Sequence, residues 1–224
     1  MSKLLRYNGA TWKCRELGES ALLLEPKSDI SALQHIHLLT KALEEAKWAG
    51  ITDVVPAYQS VAVIFDRTTW THQKVIEALQ KLPDSISKKE SKNIFEITVD
   101  YTEGLDWERV ESHTGLSKSE IIERHTKPVY TVAMIGFLPG FIFLEGLDQT
   151  LSTPRMANPR TSIPAGSVGI AGTQTGLYSL ESPGGWNIIG YTAQRFFDLD
   201  KNPPINLKAG DFIHFVEATG RYNG

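Results

Sequence analysis

Hydrophobic and polar positions follow two rhythms along the chain. Residues 10–16 and 20–25 are patterned as two short strands around the turn at Gly18. A helical rhythm comes next. Ser28 or Asp29 supplies a cap, Ile30, Leu33, Ile36, Leu39 and Leu43 share one face, and Gly50 marks the end. Residues 51–55 and 61–65 read as strands around Pro56-Ala57-Tyr58. Thr71 opens a second helix that buries Val75, Ile76, Leu79 and Leu82. The expected order is β-β-α-β-β-α, a small layer with helices on one face of a sheet.

Residues 84–93 are polar and charged apart from Ile86, and the Lys88-Lys89 pair reads as a solvated loop. This run is the expected boundary between an N-terminal domain, 1–92, and a second domain, 93–224. Beyond it Phe95, Ile97 and Val99 alternate with polar neighbours as a half-buried strand. Residues 106–113 predict a short helix. Ser117 and Glu120 are spaced as a capping box for a helix over 117–125. Residues 129–135 predict a strand. After it only short strands are expected, the last over 212–216, following a Gly210-Asp211 turn. Between 134 and 192 glycine and proline recur every few residues with Phe, Ile, Leu and Val between them, unlike a linker. That stretch reads as the wall of a small β-barrel and of its binding site. The fold class is therefore α+β: a small N-terminal α/β sandwich followed by a β-barrel.

Composition narrows the classes of function. The 224 residues carry a net charge of −3 with both signs interspersed, which points away from nucleic acid and anionic membranes. One cysteine, Cys14, excludes an internal disulfide and a cysteine metal site. No apolar run reaches the roughly 18 residues of a membrane span, and the first residues do not read as a secretory signal. The expectation is a cytoplasmic protein. Phosphate-loop, dinucleotide and His-Glu-x-x-His motifs are absent. Ala165 stands where a nucleophile elbow needs glycine. His35 and His37, two apart on a helix, point to different sides.

The candidate chemistry lies in the glycine-rich stretch. Arg155 and Arg160 each follow a proline, so a rigid loop would present two planar donors to a carboxylate or phosphate; the competing reading is two surface ion pairs. Gly184-Gly185 can offer successive N–H groups to an anion, or simply form a turn with positive φ. Gln174, between Gly172 and Gly176, can face an amide-bearing ligand or bond its own loop. His125 at a helix end is either a general base or a cation favoured by the helix dipole. Phe137, Phe141, Phe143 and Trp186 read first as core.

The run Gly136-Phe137-Leu138-Pro139-Gly140-Phe141-Ile142-Phe143-Leu144, the two Pro-Arg pairs, Pro164-Ala165-Gly166-Ser167-Val168, Gln174-Thr175-Gly176, Ser182-Pro183-Gly184-Gly185-Trp186 and Gly210-Asp211 resemble the allophanate hydrolase subunit 1 family, which includes KipI. His125-Thr126 and Val54-Val55-Pro56-Ala57-Tyr58 extend the resemblance over nearly the whole chain. It implies a cyclophilin-like barrel. It also implies the B-type component of an ATP-dependent 5-oxoprolinase complex. The partners implied are the C-type component, which is allophanate hydrolase subunit 2-like, and the A-type component. ATP, accompanied by Mg2+, is the implied co-substrate. His125, Arg155, Arg160, Gln174, Gly184, Gly185 and Trp186 are then the site candidates. Two other branches stay open: a KipI-like inhibitor of a sensor histidine kinase, and a hydrolase component for allophanate or another urea derivative. One departure stands out, because the family usually has Arg after the glycine at Gly190 and this chain has Tyr191.

Overall fold

The computed structural model describes residues 3–27, 32–84 and 94–218. The expected boundary loop from 85 to 93, and the Ser28, Asp29 and Ile30 start of the first helix, lie outside the described residues. The chain divides into two compact units, Met1–Ser91 and Lys92–Gly224.

Unit 1 is a five-stranded antiparallel sheet in the order β1-β2-β3-β5-β4. Its strands are β1 (Lys3–Tyr7), β2 (Ala10–Leu17), β3 (Ala21–Pro26), β4 (Ile51–Pro56) and β5 (Val61–Phe65), with helices α1 (Ala32–Ala46) and α2 (His72–Leu79). Trp12, Leu22, Leu24, Val61 and Val63 from the strands meet Ile36, Leu39, Val75 and Leu79 from the helices, all fully buried. Thr71 caps α2 by accepting from the Lys74 amide. The element order is β-β-β-α-β-β-α, which corrects the expected one. The addition is strand β1, where Asn8 and Gly9 both take positive φ and close a two-residue hairpin onto β2. Helix α1 also stops earlier than expected, at Lys47 in left-handed backbone, while Gly50 turns the chain into β4.

Unit 2 contains a seven-stranded sheet, in the order β13-β10-β11-β8-β7-β14-β6, and a two-stranded sheet, β12-β9. The strands are β6 (Ile94–Val99), β7 (Val129–Ile135), β8 (Ile142–Glu145), β9 (Arg160–Ile163), β10 (Ser167–Ala171), β11 (Gln174–Leu177), β12 (Ser182–Gly184), β13 (Asn187–Tyr191) and β14 (Phe212–Glu217). Helices α3 (Trp107–Thr114) and α4 (Lys118–Thr126) join β6 to β7. The capping box at Ser117 and Glu120 is formed. Only β14 and β6 run parallel; the other pairs are antiparallel. The two edges of the large sheet meet: directly after β6, Asp100 exchanges backbone bonds with Tyr191 of β13 at 2.7 and 3.0 Å. The sheet therefore curls on itself. Its concave side holds Val132, Ile142, Val168, Ile170, Ile189 and Phe215 against Ile121 of α4. A second cluster, Phe141, Ile163, Ala171, Tyr178, Trp186 and Ile188, packs on the opposite, outer face. Strand alternation explains the split, with Val168 and Ile170 inward and Ala171 outward.

Candidate functional site

His125 lies inside the curled sheet, with 0% of its surface exposed. Its ring stacks on Phe215 at a centroid distance of 4.7 Å. Both ring nitrogens are bonded: Nδ1 to Tyr101 Oη at 2.7 Å and Nε2 to Thr175 Oγ1 at 2.9 Å. Thr175 spends its only proton on the Gly169 carbonyl, so it accepts at Nε2. The ring is the neutral Nε2–H tautomer, and Tyr101 donates to Nδ1. Burial pushes the imidazole down to about 3. Burial likewise holds the Tyr101 phenol protonated, pushing it well above its usual range. The general base expected at His125 is corrected accordingly, since this ring neither meets solvent nor keeps the pKa of a base. The dipole-stabilised cation fails for the same reason, because desolvation outweighs the helix terminus. His125 organises the core from α4 to β11.

The paired arginines separate into two roles. Arg160 opens β9, and its guanidinium forks onto Asp106, with Nη1 to Oδ2 at 2.9 Å and Nη2 to Oδ1 at 2.6 Å. The carboxylate is 6% exposed and the guanidinium 28%. Asp106 Oδ2 also accepts from the Ile188 amide at 2.6 Å, and the Asp106 amide donates to the Ile188 carbonyl at 3.0 Å. The carboxylate thereby ties the start of α3 to β13 and β9 instead of capping the helix. The bond to Asp106 holds the guanidinium even higher than its ordinary range. Arg160 is thus committed inside the fold, which corrects the expected two-arginine clamp.

Arg155 is exposed and forms no ion pair among the described residues. Its guanidinium lies 5.7 Å from the centre of the Trp186 ring, within cation–π range. The backbone beneath it is fixed. Asn187 Nδ2 donates to the Pro154 carbonyl at 3.0 Å and to Ile170 O at 3.0 Å, while Asn187 Oδ1 accepts from Arg109 Nε at 2.8 Å. The Met156 amide donates to Gly185 O at 2.7 Å. A free cation thus stands on an anchored loop, beside a buried aromatic wall of Trp186, Phe141 and Tyr178.

Tyr178 Oη is buried without a hydrogen-bond partner among the described residues; the Trp186 amide approaches it without reaching bonding geometry. Burial pushes this phenol up to about 12, and Arg155 and Arg160 pull the other way. A Cβ on Gly184 would collide with that hydroxyl, so the glycine there serves close packing. Neither Gly184 nor Gly185 has positive φ. Both the turn and the anion nest expected of them are corrected, since a nest needs alternating left-handed backbone. Gln174 starts β11 beyond the Gly172 turn. Its neighbour Thr175 points inward to His125, so Gln174 faces outward with Gly176, on the side of Phe141.

The residues that sequence reasoning missed are Asp106, Arg109, Asn187 and Tyr178. Asp106 is visible in the sequence only as a helix start. Its partners lie 54 and 82 positions away, a separation that no local pattern reveals.

Residues 12–207 match the family described as carboxyltransferase domain, subdomain C and D. The chain is 34% identical over 222 residues to the 5-oxoprolinase B subunit of Bacillus subtilis, covering 92% of each. It is 36% identical to the protein of that name from Escherichia coli O157:H7, covering 91% of this chain and 95% of that one. Among solved structures, TTHA0988 superposes with a TM-score of 0.82 at 34% identity, over 91% of this chain, which spans only 41% of that protein. A conserved uncharacterized protein from Pyrococcus horikoshii is 40% identical over 92% of this chain and 97% of its own, with a TM-score of 0.55. The urea amidolyase of K. lactis shares the fold, with a TM-score of 0.75 at 17% identity, over 97% of this chain and 16% of that one. With the family match running through most of both units, the chain belongs to the carboxyltransferase domain, subdomain C and D family.

Proposed function

We propose that this chain is the B-type component of an ATP-dependent 5-oxoprolinase, a complex that opens the lactam of 5-oxoproline to glutamate as ATP is hydrolysed. The carrying observation is near full-length similarity, at 34–37% identity, to three bacterial proteins named as 5-oxoprolinase B subunits. In this reading the chain is cytoplasmic, its second unit is a cyclophilin-like barrel, and it works with the C-type and A-type components. Among the described residues no helix is long and apolar enough to cross a membrane.

The chemistry needs cationic donors. A lactam is a stable amide, and phosphorylating its oxygen makes the carbon a better electrophile. Both the substrate carboxylate and the transferred phosphate are anions. Arg155 is the donor this chain offers, with Trp186 beside it. Arg160 and Asp106 position the loop that carries it. The exposed guanidinium, without an ion pair among the described residues, fits an anionic oxygen. In this reading Mg2+ accompanies ATP as its phosphate counterion.

The test is reconstitution. The chain alone should turn over little 5-oxoproline, and adding the C-type and A-type components should give ADP release that depends on 5-oxoproline. A complete complex that leaves 5-oxoproline untouched would remove this reading.

A further inference from the structure

Beside β13 lies a cavity of about 470 Å³, in the size range of small-molecule sites. It opens where the segment after β6 runs along the β13 edge, between two pins: the Asp100–Tyr191 backbone pair and the Asp106–Ile188 bond. The lining is apolar at Ile188, Leu105 and Tyr191 and acidic at Asp100 and Glu103. Neither carboxylate has an ion pair among the described residues. Asp100 spends Oδ1 on the Thr102 amide and hydroxyl, at 2.8 and 2.6 Å, and Oδ2 accepts no bond among the described residues.

A second, independent observation comes from Ser167. It is 3% exposed, and no hydrogen bond of its hydroxyl is recorded among the described residues. Its neighbour Val168 points into the curled sheet, so Ser167 faces outward. There it stands opposite Tyr191 in the β10–β13 register and lines the same cavity. The hydroxyl is thus open to a donor or acceptor that enters the cavity.

We propose that this cavity binds a small organic cation, a protonated primary amine on a short apolar body. Its charge matches what the lining lacks, since carboxylates beside apolar walls favour a cation. An ammonium has three donors, which suit Asp100 Oδ2, Glu103 and the Ser167 oxygen. The apolar body lies on Ile188 and Leu105, with the Tyr191 ring alongside. The site is separate from Arg155 and independent of the oxoprolinase reading.

The probe is benzylamine, with benzyl alcohol and benzoate as its neutral and anionic counterparts, titrated calorimetrically at pH 7 into the full chain. Benzylamine should saturate one site, and benzyl alcohol and benzoate should bind at least about tenfold more weakly. Glu103→Gln should weaken benzylamine about tenfold. Tyr191→Arg places an internal guanidinium across from Asp100 and should abolish binding. Melting curves of both variants should match the wild type, since both positions are exposed. Equal affinity for amine and alcohol, or unchanged benzylamine affinity in folded Glu103→Gln, would overturn the proposal.

Discussion

Replacing Asp106 with Asn tests whether the Asp106–Arg160 pair belongs to the scaffold. The side chain keeps its shape but loses its charge and one of its two acceptor atoms. In the native fold those oxygens accept three N–H groups, two from Arg160 and one from the Ile188 amide. An amide oxygen cannot serve both the fork and the strand, and the amide nitrogen confronts another donor. Breaking a buried ion pair by removing one partner costs about 3–5 kcal/mol. Arg160 keeps 28% of its side chain in water, which recovers part of that loss. About 3 kcal/mol remains, which for a unit of this size lowers Tm by about 10 °C. Urea titration of wild type, Asp106→Asn, Arg160→Met and the double variant supplies the cycle. The double variant should be less destabilised than the sum of the singles, because removing both partners strands no charge. A melting point for Asp106→Asn within about 2 °C of wild type would refute the reasoning, being the size of an ordinary surface change.

Three further outcomes follow from the same geometry. The depressed His125 pKa stabilises the fold fully above the unfolded value near 6.5, and that stability is lost as pH falls toward about 3. Between pH 7 and 5 this single group should remove about 2 kcal/mol, and His125→Gln should flatten that part of the urea-measured pH profile; an unchanged slope would mean the ring is protonated in the native state. Gly176→Ala puts a methyl 2.7 Å from the Ile142 carbonyl across β8 and β11, so a loss of about 1–3 kcal/mol is expected by the same titration. Arg160→Lys cannot reproduce the fork to Asp106 and should lower Tm, whereas Arg155→Lys should leave Tm unchanged, as calorimetry can check.

Much of the fold is legible because its signals are local. The apolar run of β5, the Thr71 cap and the Ser117–Glu120 box each act within a few residues, and each appears in the structure. Strand β1 is equally local, but its Asn8-Gly9 turn falls among first residues that draw attention as a possible targeting segment. The site is harder to read. That Arg155 is free and Arg160 bound depends on Asp106, which the fold brings in from the start of α3. That His125 is neutral depends on Tyr101 and Thr175 arriving from two other elements. Glycine at 184 reads as a backbone requirement, but it is needed because the Tyr178 hydroxyl fills the space of a side chain.

In the proposed complex Arg155, held on an anchored loop and without an ion pair among the described residues, is this chain's anion donor. The most direct measurement is 5-oxoproline-dependent ADP release by the reconstituted complex containing Arg155→Lys, with Tm recorded on the same preparation. The account predicts a loss of about tenfold or more at unchanged Tm, because an ammonium cannot match the planar fork. Wild-type turnover, or a loss that only tracks a lowered Tm, would contradict it.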